Sequence, residues 1–136
     1  MFQNDIKILV VDDQGVMRKL IKKFLGDLGF TQVVEADDGA TAWPKYIEAI
    51  AEDAPFKLVI CDWNMPRMNG LELLAKVRAS KVLGNTPFIM LTAESENHQV
   101  DKATQLKVSA YIKKPFTPDT LFSKMQEVYD SSKAAA

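Results

Sequence analysis

A chain of 136 residues, 47% of them apolar and 26% charged, has the length and composition of one compact globular domain, which excludes a fibre, a disordered chain and room for a second folded unit. Seventeen basic residues against eighteen acidic ones give a net charge of -1, with no basic excess to neutralise the phosphates of nucleic acid or anionic lipid headgroups. The first five residues lack the charged-then-apolar pattern of a secretory signal and no apolar run could span a bilayer, so a cytoplasmic protein that binds neither nucleic acid nor membrane is expected.

Short apolar runs alternate with longer segments of helical period, the pattern of repeated strand-helix units around a parallel sheet. The first strand is expected at 6–11. A helix follows at 15–28, with Met17, Leu20, Ile21, Phe24, Leu25 and Leu28 on one stripe and Gly29 as its stop. A second strand at 32–35 leads through Asp37, Asp38 and Gly39 into a helix that ends near 52, broken by Asp53, Ala54 and Pro55. Pro44 lies inside that helix, and an interior proline costs about 3 kcal/mol, which predicts a kink or a late start near Trp43. The unbroken apolar run 58–61 predicts a third strand buried on both faces, followed by a loop over 62–69 and a helix at 70–80. A fourth strand at 88–91 ends at Thr92, and Ser95 can cap a polar helix running to about 106. A fifth strand at 109–112 ends at Lys113, Lys114 and Pro115, and Thr117 or Asp119 opens the last helix. From Ser131 the chain reads as a frayed tail, which places the domain at 1–131 and a disordered end at 132–136.

In an open parallel sheet with right-handed crossovers, the carboxyl ends of the strands share one edge, and ligands bind in the crevice there. The expected strands deliver Asp12 and Asp13, Asp62, Thr92 and Lys114 to that edge. Carboxylates brought together repel, so the cluster calls for a cation. Mg2+ suits it, because that ion takes one or two carboxylates plus phosphate oxygens, whereas Zn2+ prefers Cys and His ligands that this set lacks. With Mg2+ and Lys114 neutralising a transferring phosphoryl group, one aspartate remains as nucleophile, and Asp62, alone at the end of its strand, is better placed than the pair Asp12 and Asp13.

Each residue also has an ordinary reading. Asp12, Asp13 and Asp62 could cap helices, Lys114 could be a solvated lysine, and Thr92 a loop hydroxyl. Only their joint placement at four strand ends favours chemistry. Cys61 lies in the apolar third strand, where an inert buried thiol is expected, and His98, the one histidine, falls in a different polar stretch with no third partner for a catalytic pair.

Four segments carry a resemblance: Val10-Val11-Asp12-Asp13; Asp62-Trp63-Asn64-Met65-Pro66 running on to Asn69-Gly70-Leu71-Glu72-Leu73-Leu74; Leu91-Thr92-Ala93-Glu94; and Tyr111-Ile112-Lys113-Lys114-Pro115-Phe116. Together they resemble the receiver domains of two-component response regulators over nearly the whole chain, and the Asp-Trp-Asn-Met-Pro loop resembles the chemotaxis members of that family in particular. The resemblance implies a doubly wound α/β fold, flavodoxin-like and CheY-like, with five helices around a five-stranded parallel sheet in the order 2-1-3-4-5. It implies that Asp62 accepts a phosphoryl group from a histidine kinase of the chemotaxis type or from small phosphodonors. Asp13, Asp62 and the Asn64 backbone carbonyl would bind Mg2+, with Asp12 assisting through water, and Lys114 would contact the phosphoryl oxygens. Thr92 and Tyr111 would then move inward and change the face made by helix four, strand five and helix five. Asn64 and Glu94 would tune self-dephosphorylation, and the Lys114–Pro115 bond would be cis. Two departures stand out: Pro44 in the second helix, and the absence of a glycine in Leu106-Lys107-Val108-Ser109, which leaves the shape of that loop and the partner surface open.

The implied function is that of a monomeric signalling switch, not an enzyme on external substrates, which when phosphorylated binds a flagellar motor switch protein through the Tyr111 face. A separate phosphatase could reset it. A relay receiver passing its phosphoryl group to a histidine phosphotransfer domain is the alternative within signalling. A Mg2+-dependent phosphatase would need an aspartate two residues past Asp62 as its acid and base, and Asn64 stands there. An FMN carrier is weaker, because the first strand-helix loop is acidic where a phosphate would need amides and hydroxyls.

Overall fold

The computed structural model describes residues 1–81, 83–93 and 102–134. Five parallel strands, β1 (Lys7–Val11), β2 (Gln32–Ala36), β3 (Leu58–Asp62), β4 (Phe88–Thr92) and β5 (Ala110–Lys113), form one sheet in the order β2-β1-β3-β4-β5. The helices are α1 (Gly15–Asp27), α2 (Gly39–Ala51), α3 (Gly70–Ala79), α4, of which 102–105 are among the described residues, and α5 (Pro118–Ala134). This is the doubly wound α/β arrangement that the alternating pattern calls for.

Successive strand side chains point to opposite faces, and both faces are covered. Leu9, Val11, Val59, Cys61, Phe88 and Met90 pack with Ala42 and Tyr46 of α2 and Leu73, Leu74 and Val77 of α3. On the other face Ile8, Val10, Ile60 and Leu91 meet Ile21 and Leu25 of α1 and Leu121 and Met125 of α5. Every residue of β3 and β4 is therefore buried.

Helix starts are set by caps. Asp38 accepts from Thr41 N and Thr41 Oγ1 accepts from Asp38 N, a reciprocal box that begins α2 at Gly39. The late start expected near Trp43 is thus overturned: the capping box fixes the first turn, and the exposed Pro44 withholds its hydrogen bond on the side of the helix that faces water. Asn69 and Glu72 form the same box on α3. Thr117 Oγ1 accepts from Thr120 N ahead of Pro118, whose missing N–H is harmless in a first turn.

Two further stretches take definite conformations. The end of the chain, expected to fray from Ser131, continues as helix to Ala134, since nothing in that stretch breaks a helix. The glycine-free loop before β5 puts Lys107 in the left-handed region at φ 59°. Val108 N donates to Ala103 O and Lys107 N to Thr104 O, so a lysine occupies the helix-ending position where glycine is usual. The expected cap at Ser95, His98 and Glu94 lie outside the described residues.

Candidate functional site

The parallel register delivers the polar strand ends together. Asp62 pairs with Leu91 in the β3–β4 ladder, and Lys114 N donates to Thr92 O at 2.8 Å, which carries the β4–β5 ladder one residue past the strand. Asp12 N donates to Ala36 O and extends β1 in the same way. The Lys114–Pro115 bond is cis.

One carboxylate oxygen from each of Asp12, Asp13 and Asp62 lies within 4.8 Å of the others. Asp12 is fully buried, its Oδ1 accepting from Gln14 N at 2.8 Å and its Oδ2 from Lys114 Nζ at 3.0 Å. Lys114 Nζ also stands 3.2 Å from Asp62 Oδ1, and Asp13 is exposed. Asp12 is therefore tied on both oxygens, whereas Asp13 opens to solvent.

Three carboxylates cluster here and Lys114 pairs with two of them, Asp12 and Asp62, an imbalance that shows in both Asp62 and Lys114. Burial raises the Asp62 carboxyl above its ordinary value, and the Asp12 and Asp13 charges add to burial against the pull of Lys114. Burial works against the charge of Lys114, yet its hydrogen bond to Asp12 and the charge of Asp62 leave its pKa raised. An all-oxygen donor set with surplus negative charge fits a hard divalent ion such as Mg2+ and lacks the softer ligands of Zn2+.

The other expected residues surround this cluster. Thr92 is buried at the end of β4, Asn64 is exposed two residues beyond Asp62, and Tyr111 is half-buried on the edge strand β5, packed against the cluster that holds Trp63. Gly70 N donates to Trp63 O, and a Cβ on Gly70 would strike the Asp62 carbonyl, so the loop closes beside the site only with glycine there. Cys61 is buried, with its thiol pushed up by burial and by the Asp62 and Asp12 charges, which leaves it unreactive.

Two arginines near this cluster carry no mark in the sequence. Arg18 donates to Asp12 O at 2.7 Å and to Glu35 Oε1 at 3.2 Å. Arg67 Nε donates to Asp38 Oδ2 at 2.7 Å. Their side-chain partners stand 17 and 29 residues away along the chain, so no local spacing marks them.

The sequence matches the response regulator receiver domain over residues 8–126. It is 43% identical over 126 residues to the chemotaxis protein CheY-3 of Vibrio cholerae, covering 93% of each chain. Against the chemotaxis protein CheY of Pseudomonas aeruginosa it is 43% identical over 125 residues, covering 92% of this chain and 97% of the relative. A solved structure of the Vibrio cholerae chemotaxis protein CheY4 superposes with a TM-score of 0.81 at 34% identity, covering 91% of this chain and 98% of that one.

Proposed function

This chain belongs to the response regulator receiver domain family, and from that premise we propose that it is a phosphorylation switch in chemotaxis whose phospho-acceptor is Asp62. The observation that carries the reading is the placement of Asp62 at the end of β3, in one oxygen cluster with Asp12 and Asp13 and 3.2 Å from Lys114.

A carboxylate oxygen of Asp62 attacks the phosphorus of a kinase phosphohistidine or of a small acyl phosphate. The bond from phosphorus to the leaving nitrogen or oxygen breaks, and an aspartyl phosphate forms. Asp13, Asp62 and the Asn64 carbonyl, with Asp12 behind them, would hold Mg2+, which when bound offsets the carboxylates and the charge on the phosphoryl oxygens. Lys114, already within reach of Asp62, pairs with a phosphoryl oxygen. The Thr92 hydroxyl moves to another, Tyr111 follows inward, and contacts made only in the phosphorylated state shift the population toward the form that binds a target. The target of this reading is a flagellar motor switch protein, and Asn64 and Glu94 set how soon water removes the phosphoryl group.

Beryllofluoride, which stands in for the phosphoryl group, tests the reading. With Mg2+ it should bind the wild type and not Asp62→Asn, and the loaded protein should capture the motor switch protein of its own organism. Loading without capture, together with rapid transfer of phosphate to a histidine phosphotransfer domain, would replace the motor target with a relay.

A further inference from the structure

The loop between Asp62 and Gly70 carries Asn64, and it is anchored far more firmly than its exposure implies. At its end Gly70 N donates to Trp63 O at 2.9 Å, and Asn69 caps α3. Its middle lies against the start of α2: Gly39 N donates to Met68 O at 3.0 Å, and a Cβ on Gly39 would stand 2.6 Å from Met68 Cγ and 2.8 Å from the Met68 carbonyl oxygen. Between these points Arg67 adopts φ 60°, a left-handed conformation that a residue with a side chain holds only where its surroundings require it.

The side chain of Arg67 reaches Asp38 from that conformation. The Asp38 carboxylate is 1% exposed; one oxygen caps α2 by accepting from Thr41 N, and the other accepts from Arg67 Nε at 2.7 Å. Arg67 also lies 3.6 Å from Asp37 Oδ1. The Arg67 side chain is 60% exposed, but its Nε bond ends on a buried carboxylate and is charge-assisted, which fixes its direction. That carboxylate is fixed in turn to a helix that Ala42, Tyr46 and Ala49 bury in the core.

We propose that Arg67 is a positioning residue for the cation site: by bridging the loop to Asp38 it sets where the Asn64 carbonyl stands relative to Asp13 and Asp62. This rests on the reading of Asp13, Asp62 and the Asn64 carbonyl as Mg2+ ligands. Mg2+ demands near-octahedral geometry and tolerates little displacement of a ligand, so an anchor that touches none of the ligands governs affinity through the loop.

The experiment is a titration with Mg2+ alone, followed by Trp63 fluorescence in a Trp43→Phe background, with thermal unfolding recorded to show that every variant is folded at the titration temperature. Arg67→Ala should weaken Mg2+ about tenfold, the size of effect typical for groups that support metal ligands from behind. Arg67→Gln, which keeps length and loses charge, should weaken it similarly, and Arg67→Lys should recover part of the loss. In an Asp38→Asn background Arg67→Ala should change the Mg2+ Kd by less than about twofold, because the partner is already gone. An unchanged Kd in Arg67→Ala overturns the proposal, as does a loss that persists undiminished in Asp38→Asn. Failure of the background protein itself to bind Mg2+ would instead sink the assignment of the ligands.

Discussion

Helix α3 connects two polar clusters at opposite edges of one sheet, and they have opposite characters. At the edge away from the acidic site, Arg78 donates to the carbonyls of Gly84 at 3.0 Å, Thr86 at 2.6 Å, Leu106 at 3.2 Å and Lys107 at 2.9 Å. Beside it the Tyr46 hydroxyl lies 2.7 Å from Thr86 Oγ1 and donates to Leu83 O at 2.8 Å. The acceptors there are neutral and the donors all find them. At the near edge three carboxylates cluster, and one ammonium, Lys114, pairs with two of them. A single guanidinium spread over main-chain carbonyls holds the chain together, whereas carboxylates crowded at one edge repel one another and are relieved by a cation.

Substitutions at the two edges sharpen that contrast. The largest effect is expected from Lys114→Ala, which removes the ammonium paired with the buried Asp12 carboxylate; denaturant unfolding without Mg2+ should show a loss of about 3 kcal/mol. The raised pKa of Lys114 means that its contribution is fully present at neutral pH and is lost only as pH climbs past 10.5 and through the folded value. Arg78→Ala should come next, at about 2 kcal/mol from its hydrogen bonds, with phosphoryl uptake unchanged because its contacts lie at the far edge.

Asp62→Asn should act in the other direction. Its folded pKa is raised, so the folded chain holds the proton more tightly than the unfolded chain, and stability falls as pH rises from 3.8 through the folded value. At neutral pH without Mg2+ the asparagine variant should melt a few degrees higher than the wild type, and the gain should vanish below pH 3.8. Equal melting at neutral pH would mean that the near edge is not under electrostatic load. The smallest change is expected for Tyr46→Phe, about 1 kcal/mol in the same unfolding measurement.

How much of this was readable in advance depended on sequence distance. The strands were legible because their apolar runs are local, and the placement of Asp12, Asp13, Asp62, Thr92 and Lys114 at one edge followed from the strand ends. The sheet order came only through the family resemblance, since no local pattern says which strands are neighbours. Pro44 does not delay the start of its helix, because the Asp38–Thr41 cap begins the helix ahead of it and helix propensity alone carries no sign of that cap. Arg18, Arg67 and Arg78 were invisible for a common reason: each acts on atoms that only the folded chain brings near, including main-chain carbonyls, which no side-chain pattern can announce.

In the proposed function Asp62 takes up a phosphoryl group with Mg2+, and intact-protein mass after incubation with acetyl phosphate reads that step, with Asp62→Asn and a Mg2+-free sample alongside. The expected result is a single labile phosphoryl adduct on the wild type that is missing from both controls. An adduct that survives in Asp62→Asn, or no adduct in a wild type whose Trp63 fluorescence is also indifferent to beryllofluoride, would contradict the account.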